Sequence, residues 1–279
     1  MLSRPLSRRL FLGAAGSATC LAAMQMPRVG MAAEKSVLNL GLQMYSLRGY
    51  KVGQALMHAR ELGFKFIEFY GDMFPVNASP EAIAAMKKQV DELGLTISAH
   101  GVNGFGKDAG ANRRVFEFAK AAGIPILTAD PAPEAFASLE ELVKEFDIRV
   151  AIHNHGPGHR YNKVIDVLRA IENRDERIGA CADLGHYIRS GEQPTEVIRL
   201  LKGRLYGIHL KDFKEMKEHT QGVIIGRGHL DVPAVFAALG QAGFPANGAL
   251  SLEYEENPQN PLADLEECLN VAKSALPKA

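Results

Sequence analysis

Six of the nine histidines, His100, His153, His155, His159, His186 and His209, lie at or just beyond the end of a predicted strand, in company with Asp183, Glu253, Glu255 and Lys211. One such histidine is ordinarily a hydrogen-bonded structural residue; six at strand ends point to shared chemistry. Imidazole nitrogens with carboxylate oxygens form a mixed, borderline donor set, suited to Mn²⁺ first and also to Zn²⁺, Co²⁺ or Fe²⁺, rather than to Ca²⁺. Two carboxylates balance a divalent charge, and the remaining positions accept two adjacent oxygens of a substrate. Chelating a carbonyl and its neighbouring hydroxyl acidifies the carbon between them, because the ion stabilises the enediolate that forms. No cysteine stands in this set, which argues against a structural zinc site.

These residues need a scaffold that brings strand ends together. From Ser36 the chain alternates β-rich runs with helical ones through eight cycles. The predicted strands are Leu38–Tyr45, Lys65–Phe69, Leu95–His100, Ile124–Thr128, Ile148–His153, Ile178–Asp183, Leu205–Leu210 and Ala249–Tyr254. Helical spacing marks Glu81–Leu93, Arg113–Ala122 and Val164–Ile171, and Gly63, Gly94 and Gly123 sit where helices should stop. Eight βα units in about 240 residues match an α/β fold of the (β/α)₈ TIM barrel type, whose catalytic residues occupy the C-terminal strand ends. A doubly wound open sheet would need a Gly-rich phosphate turn early on, and the first strand ends instead in Gln43-Met44-Tyr45-Ser46.

Counting by twos points Ala151-His153-His155, Cys181-Asp183, Gly207-His209-Lys211 and Ser251-Glu253-Glu255 at the barrel axis. The opposite parity, Val150-Ile152, Ala180-Ala182, Ile208-Leu210 and Leu250-Leu252, reads as a helix-facing layer. The earlier strands add Gln43 and Tyr45, Glu68, Ser98 and His100, and Thr128 and Asp130 by the same count.

Composition narrows the function classes. The total of 32 basic and 32 acidic residues splits unevenly, because residues 1–33 hold Arg4, Arg8, Arg9 and Arg28 and no acid. Residues 34–279 therefore carry 28 basic against 32 acidic residues, a formal −4. An acidic body argues against nucleic acid as a partner. Ser7-Arg8-Arg9-Leu10-Phe11-Leu12, an apolar stretch to Met26 and the Ala32-Ala33 pair read as a twin-arginine signal peptide over 1–33. The remainder, 34–279, reads as one barrel domain, exported folded to the periplasm by the twin-arginine machinery. Cys20 follows Ser17-Ala18-Thr19 without the aliphatic residue of a lipid-attachment site, so no stable membrane anchor is expected. Cys181 and Cys268 are too few for a disulfide framework, and no bridge between them is expected.

Across essentially all of 34–279 the sequence resembles the xylose isomerase-like TIM barrels, often labelled sugar phosphate isomerase/epimerase. The resemblance rests on Val150-Ala-Ile-His-Asn-His-Gly156, Ala182-Asp-Leu-Gly-His186, Ile208-His-Leu-Lys-Asp212, Gly226-Arg-Gly-His-Leu-Asp231 and Ser251-Leu-Glu-Tyr-Glu255. It implies a divalent metal held by His153, Asp183, His209 and Glu253, and a substrate-oxygen or metal-shell role for His186. Ketose 3-epimerases of this family place a glutamate on strand five and another on strand eight, one on each face of the substrate carbon. Here His153 takes the first position. The His-Asn-His pattern resembles instead inosose dehydratase-like members and metal-dependent lyases of 3-keto-glycosides.

The expected activity is therefore a metal-dependent isomerisation, epimerisation or β-elimination of a sugar, keto-sugar or cyclitol. Glu253, His155 or His100 would move protons; Lys211 would stabilise the oxyanion or bind a hydroxyl, or else pair with Asp212. Tyr45 and His186 would contact substrate, and Glu68 would do so or support a ligating histidine. An endonuclease IV-like barrel would need more early histidines and a basic face. A sugar-binding barrel without chemistry would have no use for Asp183, His209 and Glu253 together. The sequence leaves a homo-oligomer open. Two connections, Gly101–Arg114 and Lys211–Asp231, exceed the usual length, and Gly226-Arg227-Gly228 offers amides to an anion or a turn that makes Asp231 a helix cap.

Overall fold

A computed structural model describes residues 38–276, so the segment read as a signal peptide lies outside the described residues. Eight parallel strands close into a barrel: β1 (Leu40–Gln43), β2 (Phe66–Phe69), β3 (Thr96–Phe105), β4 (Ile126–Pro131), β5 (Arg149–His153), β6 (Ile178–Asp183), β7 (Leu205–Leu210) and, after a small hairpin of β8 (Asp212–Phe213) and β9 (Gly222–Val223), β10 (Ala249–Leu252). β10 pairs with both β7 and β1, which completes the ring. The fold is the expected TIM barrel.

The helices between the strands are α1 (Val52–Glu61), α2 (Pro80–Glu92), α3 (Ala109–Ala122), α4 (Phe136–Phe146), α5 (Val164–Ile171), α6 (Leu184–Arg189), α7 (Pro194–Leu200), α8 (Val232–Ala242) and α9 (Leu262–Ala275). Their boundaries follow local chemistry. Ser79 and Asp108 cap α2 and α3 by accepting the amides of Ala82 and Ala111, and Gly123 ends α3 in the left-handed region. Val150, Ile152, Ala180, Ala182, Ile208, Leu210, Leu250 and Leu252 are buried in the large apolar core, while Ala99, Ile126, Ala151, Cys181, Tyr206 and Ala249 form a separate cluster. Small residues such as Ala99, Ala151 and Ala249 in the second cluster leave room for the strands to close, and the opposite parity packs the helix layer. Cys181 and Cys268 are both free and buried. Among the described residues, no helix is long and apolar enough to cross a membrane.

Strand three departs from the expected count. The β2–β3 register slips by one residue, pairing Ile67 with Ile97 but Glu68 with Ala99. This bulge turns Ala99 to the axis and His100 to the helix layer, a correction to the reading that placed Ser98 and His100 inside. β3 also runs on to Phe105 and pairs with β4 as far as Pro131, so most of the expected 101–114 loop is strand or helix.

The connection after β7 is organised by one carboxylate. Asp212 is 2% exposed and accepts four backbone amides, from Gly226 at 2.9 Å, Gly228 at 2.8 Å, His229 at 2.9 Å and Leu230 at 3.0 Å. The glycine-rich turn does cradle an anion, and that anion is the chain's own side chain. A Cβ on Gly228 would meet the Phe213 carbonyl at 2.2 Å, so the close approach requires glycine. Asp231 caps α8 as expected, accepting the Ala234 amide. Replacing Asp212 by alanine orphans four amides at about 1–3 kcal/mol each where water cannot reach them. With partial rescue by water, the expected loss is about 3 kcal/mol, a fall in Tm of roughly 6–12 °C by circular dichroism; an unchanged Tm would show that the turn does not depend on this acceptor.

Candidate metal centre and active site

Four strand ends meet at the C-terminal mouth. His153 ends β5, Asp183 ends β6, His209 lies one residue before the end of β7, and Glu253 follows β10. Each offers one ligand atom, and these atoms all lie within 4.8 Å of one another. The four side chains are buried. The β6–β7 register sets Asp183 beside His209, and the β7–β10 register sets Ser251 beside it on the other side.

Local hydrogen bonds hold the set. Asp183 divides its two oxygens: Oδ1 accepts the His186 amide at 2.7 Å as the cap of α6, and Oδ2 faces the cluster, 3.6 Å from His153 Nε2 and 3.8 Å from His209 Nδ1. Asn154 locks the ends of β5 and β6 together, its Oδ1 accepting the Asp183 amide at 2.8 Å and its Nδ2 donating to the Asp183 carbonyl at 3.0 Å. Sequence reasoning missed this residue. The signal was an asparagine at the helix-facing parity of the His-Asn-His run, where an apolar residue belongs.

Glu68 is the second support. It is fully buried, accepts the hydroxyls of Thr128 and Ser251 at 2.6 Å each, and stands 3.1 Å from His209 Nε2. Burial pushes its carboxyl up, but His209 and the two hydroxyls outweigh that and hold it below the ordinary range. A carboxylate accepting from Nε2 fixes the imidazole with its Nδ1 pointing inward, a common arrangement for metal-ligating histidines. Glu68 does not line the cavity, so of its two expected roles the supporting one matches its place.

The donor set fits a divalent cation. His209 Nδ1 lies 3.1 Å from His153 Nε2 and 3.2 Å from Glu253 Oε2. Burial disfavours a charged ring, but Cys181, Glu68 and Glu253 around it hold its pKa well above the ordinary value, so Nδ1 would join the donor set by giving up its proton to a cation. His153 Nδ1 has no hydrogen-bond partner among the described residues. Two imidazoles and two carboxylates converging without cysteine match the borderline ions expected from the sequence.

Beside the cluster opens a cavity of about 460 Å³, walled by Gln43, Tyr45, Tyr70, His155, His186, Lys211 and Glu255. Tyr45 meets Tyr70 edge to face at 5.2 Å and carries the Arg48 guanidinium 4.5 Å from its ring centre. Burial is the main cause that pushes His155 down to about 3. Burial likewise takes His186 to about 3 against the opposing pull of Asp183. Both rings are therefore neutral at ordinary pH. His159 sits on the exposed loop, its ring 5.2 Å from His155.

Two expected roles need revision. His100 does not reach the cavity: it is buried between Phe74 and Phe118, with Nε2 2.9 Å from the Phe74 carbonyl. The β3 bulge put it there. Lys211 does not pair with Asp212; its Nζ lies 3.4 Å from Asp183 Oδ2 and 3.2 Å from Glu253 Oε2 and also bonds Glu255 Oε1. Burial disfavours the ammonium, but these carboxylates push its pKa up. All three N–H bonds are engaged, leaving none for a substrate oxygen in this arrangement. Tyr70, Asp72, Gly101 and Val102 also line the cavity and were not expected there.

A family model described as xylose isomerase-like TIM barrel matches residues 56–274. The chain belongs to this family. Among curated relatives, an inosose dehydratase from Clostridium botulinum (strain Eklund 17B / Type B) is 28% identical over 142 residues, 44% of this chain and 47% of that protein. An inosose dehydratase from Lacticaseibacillus casei is 27% identical over 153 residues, 48% of this chain and 50% of that protein. The chain thus spans about half the length of these relatives. Among solved structures, an uncharacterized protein from Parabacteroides distasonis is 27% identical with a TM-score of 0.66, covering 85% of this chain and 98% of that one. D-psicose 3-epimerase from Clostridium cellulolyticum shares the fold at 13% identity, with a TM-score of 0.69 over 86% of this chain and 100% of that one.

Proposed function

We propose that this xylose isomerase-like barrel is a divalent-metal-dependent enzyme that removes a proton next to a carbonyl of a keto-sugar or cyclitol and then expels a β-substituent, as a dehydratase or lyase. The observation that carries the reading is the buried His153, Asp183, His209 and Glu253 cluster opening onto a cavity walled by neutral imidazoles and tyrosines. A divalent ion held by those four residues would polarise the carbonyl and offset the charge that develops on its oxygen.

The chain's own groups supply the rest. His155 offers a neutral ring at the cavity wall and is the proposed base. Glu253 is a poorer candidate, because its Oε2 is already shared between Lys211 and His209 within the donor set. His186 would hydrogen-bond a substrate hydroxyl, and Tyr45 with Tyr70 would wall the cavity against bulk water. Elimination is favoured over epimerisation because inverting a carbon needs a proton carrier on each face, and the strand-five position holds His153 inside the donor set. The two inosose dehydratases support the same choice.

Turnover is expected on a panel of inososes and 3-keto-glycosides, read as the near-ultraviolet absorbance of an α,β-unsaturated ketone and by NMR of the products. His155→Ala should lower kcat by about 10²- to 10⁴-fold with metal content unchanged. Full turnover by that variant would place the base elsewhere. A ketose converted only to its epimer would favour the isomerase/epimerase reading instead.

The reading includes export. Residues 1–33 would direct the folded protein to the periplasm by the twin-arginine route, placing it with small carbohydrates and away from nucleic acid. Replacing Arg8 and Arg9 together by lysine is expected to retain the protein in the cytoplasm in cell fractionation. Continued export of that double variant would exclude this route.

A further inference from the structure

Lys211 emerges two residues after His209, and its ammonium contacts three carboxylates: Asp183 through Oδ2, Glu253 through Oε2, and Glu255. The first two oxygens also face His153 and His209 across the cluster. Asp183 Oδ2 and Glu253 Oε2 therefore stand between two cation positions, one on the imidazole side and one on the lysine side. The backbone reserves room for this lysine. A Cβ on Gly185 would come within 2.7 Å of Lys211 Cγ and 3.0 Å of its Cβ, so a glycine in the first turn of α6 lets the lysine stem lie against it.

We propose that Lys211 is a built-in second cation, its ammonium filling the place a second divalent ion would take and holding the centre to one ion. The inference rests on the metal reading above. Charge bookkeeping over the carboxylates that touch Lys211 agrees with it: buried Asp183 and Glu253 and the half-exposed Glu255 carry three negative charges against the three positive ones of one divalent ion and one ammonium, while Glu68 lies outside this count, hydrogen-bonded behind His209. Buried charge of this kind persists only when it is balanced and hydrogen-bonded. Without the lysine, three carboxylates converge on a vacated position, the oxygen-rich setting in which two-metal sites hold their second ion.

Equilibrium dialysis against Mn²⁺ with elemental analysis, together with electron paramagnetic resonance, tests this on the wild-type protein and on Lys211→Ser. The wild type is expected to take one ion per chain with an uncoupled Mn²⁺ spectrum. Lys211→Ser should take two and show an exchange-coupled spectrum, since the ions share carboxylates, and adding Glu255→Gln should return the count to one. Two ions in the wild type, or one in a folded Lys211→Ser protein, would overturn the proposal. Should Lys211→Ser not fold even with Mn²⁺ present, Lys211→Ala is read in the same way. A wild-type protein that binds no ion under any loading condition overturns the metal reading itself, and this inference with it.

Discussion

Replacing Asp183 by alanine is expected to remove both metal content and turnover. This residue is fully buried and does two jobs with two oxygens. Oδ1 caps α6 at the His186 amide, and Oδ2 faces His153, His209 and Lys211. Loss of the cap costs about 1 kcal/mol, which a barrel of this size tolerates. Loss of Oδ2 is the larger effect, because it deletes an anionic member of a four-residue donor set and strips Lys211 of one of three partners. The fall in metal affinity should exceed the roughly 100-fold that removing a mere supporting partner costs, leaving no stoichiometric ion after dialysis. Asp183→Asn separates the two jobs, since the amide oxygen can still cap the helix while the charge is gone. Elemental analysis of both variants, with circular dichroism to confirm folding, checks the assignment. Retention of one ion per chain by folded Asp183→Ala would remove this residue from the ligand set.

The second large effect is expected from Glu68→Gln, a residue outside the cavity. Glu68 fixes His209 through Nε2 and is itself fixed by Thr128 and Ser251. Glutamine keeps the volume but replaces one acceptor oxygen with a donor that faces either a hydroxyl proton or the imidazole N–H. The ring is then free to turn or change tautomer, and the inward position of Nδ1 is no longer assured. Metal affinity should fall by about 10- to 100-fold, measured by competition with a chromophoric chelator, while activity recovers at saturating metal. Unchanged affinity would mean that the packing around His209, not the carboxylate, sets the ring. Activity that stays low at saturating metal would give Glu68 a part in the reaction.

Much of the barrel was legible in the chain because strand parity and helix caps are local signals. β6 at Ile178–Asp183, β7 at Leu205–Leu210 and α5 at Val164–Ile171 fall where periodicity places them. The convergence of His153, Asp183, His209 and Glu253 was legible for the same reason, since each follows a small axial residue two positions earlier. What was hidden depends on pairing between strands. The slip between β2 and β3 changes which face His100 occupies, and nothing within Leu95–His100 alone encodes it. The partners of Lys211 and Asp212 were equally hidden. Adjacent residues at a strand end point to opposite sides, so one meets three carboxylates in the mouth while the other turns to amides some 14 to 18 positions along the chain. Glu68 was readable as either a substrate contact or a support, and only the closed ring of strands brings it beneath His209.

We propose proton removal next to a carbonyl at the candidate metal centre of His153, Asp183, His209 and Glu253. It is tested most directly by incubating an inosose or a 3-keto-glycoside in deuterated water and following the carbon-bound protons by NMR. The metal-loaded protein is expected to exchange or remove the proton adjacent to the carbonyl, whereas the chelated protein and Asp183→Ala leave it at the background rate. Equal rates in all three samples, on every substrate of the panel, would show that the centre does not remove this proton.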